Sequence, residues 1–270
     1  MGFLEDYGQN TKMVAFHGAY RMRYTHIHPH FELCFCVNDV EQMSVVNGAE
    51  YVYKYPSVVI SSPYTLHSMS SIDTSTDKFD RYVLYFGENT LNAFDKKLLP
   101  IDIFQRNTWY LFKLTVEDAL ELKKIFELYR DNSTPAEQDL IFAMIVNRLM
   151  TICPPDSITK VGLPSFYIQD VFQYISENFM DGLDIADISK QFAVSRSKLD
   201  RDFKKFAGIT VHSYMEMCRL NQAKFLLEYQ KNISISDIAL MCGFKSENYF
   251  FPFFKKTIGK TPSEYRKERN

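Results

Sequence analysis

Residues 234–266 read SISDIALMCGFKSENYFFPFFKKTIGKTPSEYR, and this stretch decides the fold of the C-terminal part of the chain. Ser234 to Phe244 is a short first helix ending at Gly243. Ser246 is a strong N-cap for a second helix from Glu247, which closes on Gly259. The same design stands about fifty residues earlier. Leu183 to Phe192 is an amphipathic helix, Ala193-Val194 follow, and Ser195 caps a helix from Arg196 to Phe206 that closes on Gly208. Ile185-Ala186-Asp187-Ile188 matches Ile235-Ser236-Asp237-Ile238, and Phe203-Lys204-Lys205 matches Phe254-Lys255-Lys256. An internal repeat of this kind predicts two similar units rather than one irregular bundle.

In the first repeat the second helix divides as a DNA-recognition helix must. Leu199, Phe203 and Phe206 form an apolar face, leaving Ser197, Lys198, Asp200, Arg201 and Lys204 outward. Between the repeats, Tyr214 to Tyr229 carries apolar residues at helical spacing with no breaker, so it is predicted as one helix. Its length of roughly 24 Å suits a connector between recognition helices about one DNA turn, ~34 Å, apart. Residues 166–268 read as almost wholly helical, with breaks near 182, 194, 209, 232, 243 and 259.

The run Ile238-Ala239, Cys242-Gly243-Phe244, Tyr249-Phe250, Phe254-Lys255-Lys256 and Gly259 to Arg266 resembles the signature of the AraC/XylS family of transcription regulators. Arg219-Leu220, Ala223 and Leu226-Leu227 resemble that family's connecting helix, and the likeness covers roughly residues 170–268. It implies a transcription regulator of activator type bound to double-stranded DNA, working as a homodimer with RNA polymerase as a further partner. Carried over residue by residue, its base-facing positions fall on Ser197, Asp200 and Arg201, and on Glu247, Asn248, Phe251 and Pro252. Arg201 suits a bidentate contact to guanine, Asn248 suits adenine, and Asp200 or Glu247 suits a cytosine amine. Arg196, Lys198, Lys204, Ser246 and Lys255 complete the candidate DNA-binding set, with the lysines and Lys256 meeting phosphate or water. Phe251-Pro252 departs from the family pattern. Pro252 lies beyond the first helical turn and is expected to kink the helix at a cost of about 3 kcal/mol, while Phe251 is expected on the wet outward face. The first unit is therefore expected to supply most of the sequence specificity.

Charge agrees only weakly with that assignment. Residues 166–270 hold 16 Lys+Arg against 13 Asp+Glu, whereas residues 1–165 hold 15 against 20. A DNA-binding surface must therefore be local rather than a whole-domain field. With 270 residues and 46% apolar composition, two domains are expected: 1–153 for sensing and dimerisation, a linker at 154–165 where Pro154-Pro155, Gly162 and Pro164 break any helix, and 166–270 for DNA. The start MGFLEDYGQNTK lacks the pattern of a signal peptide, and no run reaches the ~20 apolar residues of a membrane span, so a cytoplasmic protein without a membrane partner is expected. Five scattered cysteines fit a reduced compartment. The Cys34/Cys36 pair reads as small core residues or, more sharply, as a redox or metal pair.

From residue 13 to about 86 the pattern is short strands. Phe31, Leu33, Phe35 and Val37 alternate with Glu32, Cys34 and Cys36, and Asn38-Asp39, Asn47-Gly48 and Ser62-Pro63 mark turns. An all-β barrel or sandwich is expected, with helices near 115–152 that either cover it or dimerise two chains. His26, His28 and Glu32, with His67 further on, resemble the metal-ligand positions of cupin barrels, although the glycines flanking such motifs are absent. In an extended strand His26, His28, His30 and Glu32 would share one face. No cofactor is required by this reading. The set His26, His28, Glu32 and His67 reads as a divalent metal site, as a pocket for a small-molecule effector together with His30 and Tyr53, or as a hydrogen-bonded core. Metal-dependent cupin catalysis and a protein-interaction module are the competing functions.

Overall fold

The computed structural model describes residues 12–16, 25–72, 80–95, 99–100, 103–129, 133–163 and 166–268. Its contacts divide the chain into two compact units, Met1–Ser165 and Phe166–Asn270.

The first unit is built on two antiparallel sheets. The larger has the strand order β1 (Lys12–Phe16), β7 (Arg81–Phe86), β2 (Phe31–Cys36), β5 (Ser57–Ser61), β8 (Thr108–Lys113) and β9 (Ile158–Gly162). The smaller has the order β4 (Ala49–Lys54), β3 (Glu41–Val46) and β6 (His67–Ser71). Asn47-Gly48 joins β3 to β4 in a two-residue hairpin, both residues having positive φ, as the right-handed twist of the flanking strands favours. The described ladders do not close the two sheets into a barrel. A lone bridge between His26 and His67 links the segment before β2 to β6.

Strand β2 explains the layering. It lies between β7 and β5 and is buried along its whole length. Phe31, Leu33 and Phe35 pack on one face, with Tyr82, Phe86, Phe126 and Phe142. Cys34 and Cys36 pack on the other, with Val46, Tyr53, Met69 and Trp109. The smaller sheet thus covers one face of the larger. Helices α2 (Val116–Phe126) and α3 (Pro135–Ile152) cover the opposite face, burying Leu122, Phe126, Phe142 and Ile145. Of the two readings of these helices, covering the sheet is the one seen. Val116 and Leu120 on α2 are more than half exposed. A short helix α1 (Glu88–Asn92) follows β7.

Two segments differ from the sequence expectation. Strand β8 is a central, continuous apolar run that no alternation announced, because both of its faces are covered. The stretch read as a linker holds β9, with Ile158 opposite Phe112 and Val161 opposite Trp109. Its backbone N–H and C=O groups pair with the free side of β8, a stronger tendency than the flanking prolines and glycine suggested. No helix among the described residues is long and apolar enough to cross a membrane. All five cysteines are free, and Cys34 and Cys36 are core residues.

The second unit is helical: α4 (Tyr167–Asn178), α5 (Ile185–Gln191), α6 (Arg196–Ala207), α7 (Val211–Tyr229), α8 (Ile235–Met241), α9 (Glu247–Ile258) and α10 (Pro262–Glu268). Caps set its boundaries. Asp184 accepts the N–H groups of Ala186 and Asp187, and Asp187 returns a carboxylate to the Asp184 N–H. Ser195 and Ser246 cap α6 and α9 by accepting the N–H of Lys198 and Tyr249, and both helices end on left-handed glycines, Gly208 and Gly259. Thr210 caps α7, which therefore starts three residues before Tyr214 and spans roughly 28 Å. Phe172, Phe203 and Tyr214 form a ring-packed centre between α4, α6 and α7, and Leu227, Ile238, Phe250 and Phe254 centre a second core between α7, α8 and α9.

Candidate nucleic-acid interface and histidine cluster

Helix α6 buries Leu199 and Phe203 and leaves Arg196, Ser197, Lys198, Arg201 and Lys204 exposed, with Asp200 half-buried. The Arg201 side chain is 70% exposed. Its Nε lies 3.4 Å from Asp202 Oδ1, a contact that does not engage the two terminal nitrogens of the guanidinium fork. Lys198 also pairs with Asp202, one turn on, and its ammonium stands 5.0 Å from the centre of the Tyr167 ring. Tyr167 in turn donates its hydroxyl hydrogen to Asp202 at 2.8 Å. The hydrogen bonds from Lys198 and Tyr167, with the charge of Arg201 beside them, hold the Asp202 carboxyl down to about 2. Sequence reading passed over Asp202 and Tyr167. The four-residue spacing of Lys198 and Asp202 was the available signal.

Helix α9 presents Ser246, Glu247, Asn248 and Lys255 to solvent, with the Ser246 oxygen engaged in capping. Phe251 is not on the wet face. It is half-buried against the second core, its ring edge-on to Phe250 at 5.7 Å. Pro252 is exposed, and α9 runs through it unbroken. Proline forfeits one backbone donor, to the Asn248 carbonyl, and burial of Phe250 and Phe254 on either side holds the helix together.

Between the two recognition helices lies a cleft of about 410 Å³, lined among others by Arg196, His212, Arg219, Lys245 and Tyr249. It adjoins a second one that reaches Arg201 and Lys204, the two sharing Ile185, Arg196 and His212. Basic side chains, Lys204, Arg201 and Arg196 on α6 and Lys245 before α9, thus line the two adjoining clefts. Lys245 and His212 were not singled out from sequence, because neither lies on a recognition helix. Acidic groups border the same cleft: Asp184 faces Lys245, and Glu216 pairs with His212 at 3.2 Å.

Residues 188–268 match the model of a helix-turn-helix domain. The xylose operon regulatory protein of Escherichia coli K12 is 36% identical over 93 residues, which are 34% of this chain and 24% of that protein. The arabinose operon regulatory protein of Salmonella typhimurium LT2 is 37% identical over 100 residues, 37% of this chain and 35% of that one. The helical unit is thus similar to a helix-turn-helix domain found in regulators of the AraC/XylS type. This chain spans between a quarter and about a third of the length of these curated relatives, and the AraC/XylS likeness lies in the DNA-binding part. Among solved structures, ToxT from Vibrio cholerae is similar over 95% of this chain and 97% of its own, with 14% identity and a TM-score of 0.47.

The first unit holds a separate cluster. His26, His28 and His67 point their Nε2 atoms at one oxygen of Glu32, at 3.7, 3.2 and 3.4 Å. Nδ1 of His28 lies 3.0 Å from the His30 carbonyl oxygen and Nδ1 of His67 lies 2.8 Å from that of Thr65, contacts that orient both rings with Nε2 toward Glu32. Nε2 of His67 and Nδ1 of His26 are buried without a hydrogen-bond partner. Burial holds His28 down to about 3, and burial with the charge of His67 lowers His26. Burial opposes ionisation of Glu32, but the charge of His67, with the neighbouring imidazoles of His26 and His28, outweighs it and keeps the carboxyl well below its usual range. His67, opposed by burial, is raised by the same carboxylate.

Two effector-pocket candidates fall outside this cluster. His30 contributes its carbonyl rather than its ring, because β2 begins only at Phe31 and the strand alternation does not extend back to residues 28–30. Tyr53 lies with Cys34 and Cys36 in the inter-sheet core, its hydroxyl 2.9 Å from Ser44 Oγ. It pairs with Gln42, four residues along β3 from the Val46 that faces His67, a distance of about 14 Å.

Proposed function

We propose that the chain is a DNA-binding transcription regulator whose first unit responds to an effector. The observation that carries this reading is the pair of capped helices, α6 and α9, each burying one face in its own core and exposing Arg201 or Asn248 on the other. The chain then acts in the cytoplasm on duplex DNA, with RNA polymerase as a further partner. A homodimer belongs to the same reading, since Val116 and Leu120 on α2 and Leu140 and Met144 on α3 are exposed apolar residues four apart. Affinity for duplexes selected from a random-sequence pool, measured over a salt series, tests it. Steep weakening with salt is expected, and Lys245→Ala is expected to reduce the log–log slope by about 0.9 with equal loss on all sequences. Binding that ignores salt would overturn the proposal.

The histidine cluster favours a more definite reading of the first unit, as a cupin-like sensor that holds a divalent transition metal. Bonds of about 2.1 Å put two ligand atoms no more than about 4.2 Å apart. The four donors here already lie within 4.8 Å of one another, and the orphaned Nε2 of His67 is the buried polar atom a metal would satisfy. His26, His28, Glu32 and His67 would hold the ion, and Thr65 and His30, through their carbonyls, would orient the rings. Bound metal would supply a Lewis-acidic centre for an oxygen- or nitrogen-bearing effector. Zinc, manganese or ferrous iron at 100 times its Kd is expected to stabilise the unit by about 2.7 kcal/mol. The single tryptophan, Trp109, is buried in this unit and reports its unfolding by fluorescence. His28→Ala should abolish the stabilisation, and an equal shift in wild type and variant would exclude the site. If loading alters turnover of small substrates but not DNA binding, the competing cupin enzyme gains the argument.

A further inference from the structure

The turn between α8 and α9 is pressed against the first helix-turn-helix unit. Gly243 in this turn has φ +79°, and a Cβ there would lie 2.5 Å from the Phe179 carbonyl oxygen, 3.2 Å from Met180 Cα and 3.2 Å from Arg219 Nε. Left-handed backbone alone does not demand glycine at this place. Ala193 occupies the matching position in the turn between α5 and α6, at φ +51°, and is exposed. What excludes a side chain at Gly243 is the closeness of another backbone.

Arg219 lies beneath the same contact. It is 8% exposed, donates from Nε to the Phe179 carbonyl at 3.1 Å, and donates from Nη2 to the Leu183 carbonyl at 2.8 Å. One guanidinium on α7 therefore satisfies two carbonyls of the connection between α4 and α5, while the second unit's turn closes over it. Three residues before Arg219 on α7, Glu216 accepts the hydroxyl of Tyr249, which belongs to α9. Both recognition helices are thereby braced to α7, the first through the Phe179–Leu183 connection and the second through Gly243 and Tyr249.

We propose that Arg219 and Gly243 are positioning residues: they form a joint that fixes the separation of the two recognition helices and so dictates the spacing of the DNA half-sites the chain accepts. The proposal rests on the DNA-binding reading above. A rigid joint has one matching spacing. Each inserted base pair moves a half-site about 3.4 Å along the duplex and rotates it about the axis, beyond what a fixed pair of helices can follow.

The full chain, its preferred duplex obtained by selection from a random pool, is measured on duplexes carrying zero to three extra base pairs between the half-sites. Wild type is expected to lose about tenfold or more with the first insertion. Arg219→Met and Gly243→Ala are expected to weaken binding at the native spacing and to flatten the profile to within about threefold. Arg219→Lys keeps one donor and is expected to restore an intermediate preference, which gives a reading even where Gly243→Ala fails to fold. A merely structural role would lower affinity at every spacing alike. Variants that fold, bind and retain the wild-type profile would overturn the joint. Failure of wild type to select any duplex would instead sink the DNA-binding reading.

Discussion

Phe203→Ala is expected to cost the helical unit about 3–5 kcal/mol, a large share of the 5–15 kcal/mol that typically holds a domain together. Phe203 is fully buried, stacks on Phe172 at 4.2 Å between ring centres, and packs against Tyr214. It is the residue through which α6 is seated on both α4 and α7, so truncation leaves a cavity where three helices meet. Few other single changes in the unit remove as much. Two independent signals follow the consequence. Far-ultraviolet circular dichroism reports mainly on the helical unit, and Trp109 fluorescence reports on the other. In a urea titration the dichroism midpoint should fall steeply while the fluorescence midpoint stays in place. Equal movement of both midpoints would show that the core around Phe203 is not an independent support for α6.

Arg201→Ala should weaken binding to the selected duplex by about 1–3 kcal/mol, with the loss concentrated at one base pair. Asp202 engages the Arg201 Nε and not its terminal nitrogens, the pair that a bidentate contact to guanine needs. Substituting that base pair in the duplex should cost wild type about the same amount and cost the variant almost nothing. Asn248→Ala should cost less. With Phe251 half-buried against the second core, the base-facing family positions of α9 left exposed are Glu247, Asn248 and Pro252. A uniform loss over all sequences for Arg201→Ala would make it a phosphate contact, and a larger effect from Asn248→Ala would reverse the order of the two units.

The helical unit was legible because its signals are local. Serine caps, terminal glycines and the fifty-residue repeat each place a boundary within a few residues, and Thr210 moved only the start of α7. The histidine–carboxylate cluster was legible in part: the resemblance to cupin motifs named His26, His28, Glu32 and His67, the four residues that do converge. His30 failed because strand alternation was extended past the end of the strand. Phe251 failed for a related reason, since its outward place came from family positions rather than from the four phenylalanines, Phe250, Phe251, Phe253 and Phe254, that compete for one small core. Strand β8 was hidden by burial on both faces, which removes alternation. The meeting of Gly243 with Phe179 spans more than sixty residues of sequence, and no local pattern announces it.

Strand β9 has a geometric consequence for the DNA-binding unit. It is an edge strand, hydrogen-bonded on one side to β8, with three of its five residues exposed, and α4 begins five residues after it. Each residue unzipped from β8 would lengthen the leash to α4 by about 3.3 Å, about 17 Å for all five. Ile158 and Val161 pack against the two cores of the first unit, so releasing that length costs apolar burial as well as ladder hydrogen bonds.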